Sequence, residues 1–391
     1  MTQIDPALVN KLTEDRRWLH ANPELGYKET ATAAYVARRL DDLGIPYEAG
    51  IAETGIVAEI KGLGESPKVI GLRADMDALP ISEQTDVTYR SRNAGVMHAC
   101  GHDGHTAILM GVAEVLSRQR DFDGTVRLIF QPAEENGNNG AQRMLAEGLL
   151  NRFPMDEIYG LHNWPQLPER TVAAIAGPLL ASASFLDIQL TGQGAHGSQP
   201  HLATPLVSAL AQIILGVDGL LAQSRDAQDR IVATLTRLEA AEAFTVIPEK
   251  VRAAGSVRCL DQKAQDRFAR DVERMAKGIA SGLGGNAEVT CREVVPITTN
   301  APGPAALVAN CARDLGYAVE TETTMRPVMG SEDFAFFLQQ VPGCYFLLGT
   351  GQTTDEEPLH SPRFNFNDAA LPHGVAMFHE IVRRALPLKT S

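Results

Sequence analysis

The chain has 391 residues, beyond the size at which a single hydrophobic core stops growing, so two domains are expected. Apolar residues make up 44% and charged residues 21%, which excludes a disordered, collagen-like or coiled-coil protein. With 35 Lys and Arg against 48 Asp and Glu the net charge is −13, which argues against a nucleic-acid backbone or an anionic membrane as the main partner.

The first segment reads as helices. Asp5 before Pro6 supplies an N-cap with proline at the first helical position, and the helix is predicted to run towards His20 until Asn22-Pro23 breaks it. A second helix is predicted over 29–43, stopped by Gly44. Strands at 55–60, 68–73, 125–130 and 157–161 then alternate with helices at 106–118 and 141–150, the pattern of an α/β domain with a largely parallel sheet. The middle reads differently: strand 184–190, helix 205–221, strands 231–238 and 250–258, helix 262–283, strand 287–294. That β-α-β-β-α-β order is the signature of a ferredoxin-like unit, large enough to be a separate domain. Helices at 305–315 and 332–338, a strand at 344–348 and a last helix at 374–386 complete the chain. The predicted organisation is a discontinuous catalytic α/β domain, 1–181 and 294–391, interrupted by an inserted domain, 182–293.

No apolar run approaches the roughly 18 residues of a membrane span. The start, Met1 to Pro6, has neither a basic patch nor an apolar stretch, so no signal peptide is expected. Five scattered cysteines (100, 259, 291, 311, 344) without a CxxC pair suit a reducing cytoplasm.

Residues able to bind a metal follow three successive predicted strands: Asp75 and Asp77 after the first, Glu134-Glu135 after the second, His162 after the third. Ligands of open α/β sheets bind outside the carboxyl ends of the strands, so these clusters should converge in one crevice. The densest cluster is Met97-His98-Ala99-Cys100-Gly101-His102-Asp103-Gly104-His105, whose two glycines let the backbone fold back around one ion. Cys with His selects a borderline ion such as zinc, while carboxylates keep manganese, cobalt or nickel open. In Glu134-Glu135 the neighbouring side chains leave the strand in different directions, so one can bind metal while the other stays free as a general base for hydrolysis. No HExxH, GxSxG or Walker-type sequence competes with this reading. Arg258, ending a strand of the inserted domain, could hold a substrate carboxylate bidentately or sit in a structural ion pair.

Together these segments resemble the co-catalytic metallo-amidohydrolase family of aminoacylases, hippurate hydrolases and auxin–amino-acid conjugate hydrolases, with glutamate-releasing carboxypeptidases as more distant relatives. The resemblance spans nearly the whole chain: 17–24 with His20 and Asn22-Pro23-Glu24, then 73–80, 98–105, 131–135, Leu161-His162, 192–200, Gly330-Ser331-Glu332-Asp333-Phe334 and Leu359-His360-Ser361-Pro362. It implies that Cys100, His102, Glu135, His162 and His360 bind two adjacent divalent ions, the thiolate standing where relatives use a carboxylate. It implies that Glu134 is the general base, that Asp77 orients a ligand, and that Asp75 occupies a slot where other branches place a metal-binding histidine. His196 resembles the histidine that reaches into the neighbouring subunit's active site, and the inserted domain a lid and dimerisation domain. Two departures, Thr245 before Val246-Ile247-Pro248 and Thr204 before Pro205, bear on the substrate rather than on the metal chemistry.

The function expected is metal-dependent hydrolysis of a small N-acyl amino acid by a cytoplasmic homodimer or larger homo-oligomer. The alternatives are a dipeptidase or carboxypeptidase on the same centre, or a non-catalytic metal-binding or amino-acid-sensing protein, for which an intact Glu134 has no use.

Overall fold

The computed structural model describes residues 4–223, 226–353 and 356–388. Residues 1–3, which the reading of the chain's start includes, lie outside them. The chain divides into two compact units: Met1–Leu179, Thr298–Arg326 and Glu332–Ser391 form the first, Leu180–Ile297 and Pro327–Ser331 the second. The short return of 327–331 to the second unit was not legible in the sequence.

The first unit is built on an eight-stranded sheet. Its spatial order is Tyr47–Ile51, Gly55–Lys61, Thr125–Gln131, Val69–Asp75, Glu157–Pro168, Gly343–Gly351, Thr171–Ala173 and Ala318–Glu320. The sheet is mixed rather than largely parallel. Its centre is parallel, Val69–Asp75 pairing with both Thr125–Gln131 and Glu157–Pro168, and the latter with Gly343–Gly351. One edge is an antiparallel hairpin, closed by a turn in which Ala52 and Glu53 take positive φ, the conformation of tight hairpin turns. The central strands are buried on both faces, as strands covered by helices on either side must be. The helix His102–Arg118 is buried almost throughout, in a core it shares with the helices Pro6–Ala21 and Leu371–Ala385.

Local signals account for most boundaries. Asp5 Oδ1 accepts the Ala7 amide at 2.9 Å, capping Pro6–Ala21, and Gly44 at φ 62 ends the segment that follows Thr30–Asp42. The predicted helix 141–150 is instead two pieces, Gly140–Ala146 and Leu149–Arg152, because Gly148 sits between them at φ 85. The predicted helix 332–338 begins only at Ala335, since Glu332 and Asp333 are drawn into side-chain bonds of the site.

The second unit is a four-stranded antiparallel sheet in the order Ile231–Glu239, Lys250–Cys259, Ser182–Thr191, Asn286–Val295, the ferredoxin-like arrangement. Buried and partly exposed residues alternate along Ser182–Thr191, and its inward side chains pack on the helices Leu206–Gln223 and Gln262–Gly282. Leu206–Gln223 corrects one expectation: its 18 residues are long and apolar enough to cross a membrane by length and composition. Here its buried residues Leu206, Ala209, Leu210, Ile213 and Val217 recur at helical spacing and face the core of this unit.

Candidate metal centre

The parallel register sets the clusters side by side: Asp75 at the end of the central strand pairs with Gln131 at the end of one neighbour, and His162 lies on the neighbour at its other side. Cys100 and His102 arrive from the loop that opens the helix His102–Arg118. Between them Gly101 has φ 102, and a Cβ there would lie 2.2 Å from Asn163 Oδ1, so only glycine allows the loop to close on the strand.

Each candidate ligand is aimed by its own neighbours. His102 Nδ1 donates to the Asp77 carbonyl at 2.9 Å, which leaves Nε2 as the metal-facing nitrogen. His162 Nδ1 likewise donates to the Asn163 carbonyl at 2.7 Å, and its Nε2 lies 3.3 Å from Cys100 Sγ. The His360 amide donates to the Ala99 carbonyl at 2.7 Å, tying the His360 loop to the Cys100 segment, and His360 Nε2 lies 3.2 Å from Glu135 Oε1. The donor atoms form two triads that share the thiol, Cys100–His102–His162 and Cys100–Glu135–His360, with the atoms in each within 4.8 Å of one another. Glu134 joins His102 and Glu135 in a third.

The site's electrostatics suit a cation. Burial pushes the Glu134 carboxyl well above its ordinary range, and Glu332, Glu135 and Asp333 add to the push. Burial, then His105, drives His162 well below the usual histidine range, keeping its Nε2 lone pair available. Burial would lower His102 too, but Asp75 and the Cys100 sulfur outweigh it and hold the ring well above that range. His102 Nε2 is buried and makes no hydrogen bond among the described residues, a costly state that coordination would relieve. Thiol, two tautomer-fixed imidazoles, a third histidine and a carboxylate therefore fit divalent ions of the zinc type.

Asp77 lies between the Glu134-Glu135 turn and His102. One oxygen accepts the Glu134 amide at 3.1 Å, the other the Glu135 amide at 2.9 Å, and Oδ1 lies 3.3 Å from His102 Nδ1. Asp75 borders the triads: its donor atoms group with those of His102 and His105 within 4.8 Å, Oδ2 lying 3.7 Å from His102 Nε2, while Oδ1 meets His105 Nδ1 at 2.6 Å and Oδ2 meets Arg73 Nη1 at 2.6 Å. Sequence reasoning missed the hub of this support. Arg73, fully buried, also bonds Gln131, Glu332 and Asp333, and Tyr345 donates to Glu332 at 2.5 Å. An arginine inside a predicted strand, followed two residues later by aspartate, was the available signal.

His196 and Arg258 belong to the second unit. His196 is exposed, its Nδ1 2.8 Å from the Ser198 hydroxyl, on a short strand paired with Val246–Ile247. Gly197 donates to the Thr245 carbonyl at 2.7 Å, so one departure from the family pattern borders His196 directly. The other departure is structural: the Thr204 hydroxyl accepts the Gln193 amide at 3.0 Å and packs against Gly192. Arg258, whose guanidinium is half-buried, bonds the Ser331 hydroxyl and forms no ion pair among the described residues.

Residues 71–384 match the sequence pattern described as peptidase family M20/M25/M40. The chain is 36% identical to an N-acetylcysteine deacetylase of Bacillus subtilis, over 96% of this chain and 97% of that protein. It is 37% identical to thermostable carboxypeptidase 2 of Saccharolobus solfataricus, over 96% and 98% of the two chains. Among solved structures it is similar to a Bacillus subtilis protein described as a dinuclear metal-binding peptidase of the M20 family, with a TM-score of 0.86, 34% identity and coverage of 97% and 99%. Matches of this length and identity, together with the donor triads, establish that the chain belongs to peptidase family M20/M25/M40 and is an amidohydrolase that uses divalent metal.

Proposed function

We propose that the enzyme hydrolyses the amide bond of an N-acyl amino acid, releasing a carboxylic acid and a free amino acid. The observation that carries this reading is the Glu134 carboxylate beside two donor triads sharing Cys100, in a chain similar to an N-acetylcysteine deacetylase. Cys100, His102, Glu135, His162 and His360 would hold two divalent ions, with zinc, manganese, cobalt and nickel all compatible with the donors. Bound there, the ions supply Lewis-acid polarisation of the amide carbonyl and lower the pKa of the attacking water. Glu134 takes the proton of that water and returns it to the leaving nitrogen, which is too basic to depart unprotonated. Asp77 keeps Glu134, Glu135 and His102 in register through the bonds described above.

Arg258, lacking a carboxylate partner among the described residues, would receive the carboxylate of the substrate's amino-acid half. His196 would donate to the tetrahedral oxyanion, either by closure of its own second unit or from a partner subunit. Exposed Leu202, Val207, Leu215, Val232, Leu238 and Phe244, all in the second unit, favour a homodimer formed through it. Five free cysteines suit a cytoplasmic location.

Similarity to a carboxypeptidase supports a second reading, peptide hydrolysis on the same centre. A panel of N-acetyl, N-benzoyl and indoleacetyl amino acids against matched dipeptides, with metal content measured in parallel, separates the two. Turnover of the acylated substrates is expected, and Arg258→Ala should raise KM for them. Turnover confined to peptides would overturn the first reading.

A further inference from the structure

The turn that presents Glu134 is bracketed by two carboxylates, and only Asp77 belongs to the clusters described so far. After the strand Thr125–Gln131 and Pro132, Ala133 takes φ 55, the left-handed region that a Cβ disfavours. Three consecutive amides, those of Ala133, Glu134 and Glu135, then need acceptors. Asp77 takes the second and third. Glu29 takes the first: its Oε1 accepts the Ala133 amide at 2.8 Å while its Oε2 accepts the Thr54 hydroxyl at 2.6 Å.

Glu29 precedes the helix Thr30–Asp42 at the capping position, yet its side chain makes no capping bond to that helix. Glu24 does that work instead, accepting the Ala31 amide at 3.1 Å and the Thr32 amide at 2.8 Å. Glu29 is fully buried, and burial first, then the charge of Asp77, pushes its carboxyl up to about 7 despite the Thr54 bond. A carboxylate kept in such surroundings and withheld from its own helix serves the turn it touches. The surrounding packing agrees: a Cβ on Gly26 would lie 3.0 Å from Ala133 Cα, and the Tyr27 hydroxyl donates to the Asn138 carbonyl at 2.9 Å. Residues 26–29 thus grip both ends of the 133–138 loop.

We propose that Glu29, anchored by Thr54, is a positioning residue that fixes the left-handed turn at Ala133 and thereby the direction in which Glu134 faces the substrate. This rests on the reading of Glu134 as general base. The substrate is bound by other groups, so the effect belongs on kcat.

The test compares Glu29→Ala, Glu29→Gln, Thr54→Val and Glu134→Gln in the full-length, metal-loaded enzyme. Glu29→Ala should lower kcat roughly 10–100-fold with KM within about twofold and metal content unchanged. Glu29→Gln should recover most of the loss, because its amide oxygen can accept from Ala133 while its NH₂ donates to Thr54. Amide hydrogen exchange of the 131–141 peptide should speed up in Glu29→Ala and stay near wild type in Glu29→Gln. If Glu29→Ala fails to fold, Thr54→Val, which removes one anchor of the same carboxylate, is expected to show a smaller loss of kcat and faster exchange. Unchanged exchange at 131–141, or a loss equal in the Ala and Gln variants, overturns the proposal. Should Glu134→Gln keep full turnover while exchange still rises in Glu29→Ala, the base assignment fails and the clamp on the turn stands without its catalytic role.

Discussion

Glu134 and Glu135 are neighbours in sequence, and the geometry separates their tasks sharply enough to test. Both amides bond Asp77, so replacing either side chain with glutamine leaves the backbone anchoring in place. Glu134→Gln removes a proton acceptor while conserving shape. The expected loss is roughly 10²–10⁴-fold in kcat, the range for general acid–base catalysis, or about 3–5 kcal/mol in the barrier. Glu135→Gln removes the only carboxylate in the triad with Cys100 and His360, so retention of metal should fall before turnover is considered. The assay is metal stoichiometry after dialysis against graded chelator, paired with turnover at saturating metal. Glu134→Gln should match wild type in stoichiometry and lack activity; Glu135→Gln should lose metal at lower chelator concentration and regain part of its activity when metal is added. Equal metal loss in the two variants would refute the division of roles.

Chelation should abolish activity and added divalent metal restore it, and Cys100→Ser should weaken both ions together because the thiol is common to two triads; loss of a single ion would show that the sulfur serves one site. Mixing His196→Ala subunits with Glu134→Gln subunits, each inactive alone, should restore part of the activity if His196 acts across a dimer, whereas verified mixed dimers without activity would rule that route out. His20 supplies a pH test away from the ligands. Burial alone would lower it, but Asp103 at 2.9 Å and Glu83 at 3.2 Å raise it from 6.5 to about 9. A histidine whose folded pKa lies above its unfolded value stabilises the fold fully below about 6.5 and loses that contribution as pH rises through about 9. The stability difference between wild type and His20→Gln should therefore shrink by about 3 kcal/mol across that window in denaturant titrations, and a difference that stays constant would contradict the assigned charge.

Much of the centre is legible in the chain because strand ends and short loops carry it. Cys100, Gly101 and His102 lie within three residues, Glu134 and Glu135 are adjacent, and helix caps such as Asp5 act over two or three positions. Local spacing decides such features, since nearby side chains have little freedom to point elsewhere. The order β-α-β-β-α-β likewise follows from periodicity, and the second unit has that topology. What the sequence left open are relations between distant segments. The antiparallel hairpin edge and the use of Glu29 by Ala133, 104 residues away, have no local signature, and the pairing of Arg73 with Asp75 does not announce its distant partners Glu332 and Asp333. Nothing in a run of residues says that a glutamate at a helix start will abandon its helix. Only packing decides it, because folding buries the Ala133 amide away from bulk solvent and brings one carboxylate within reach.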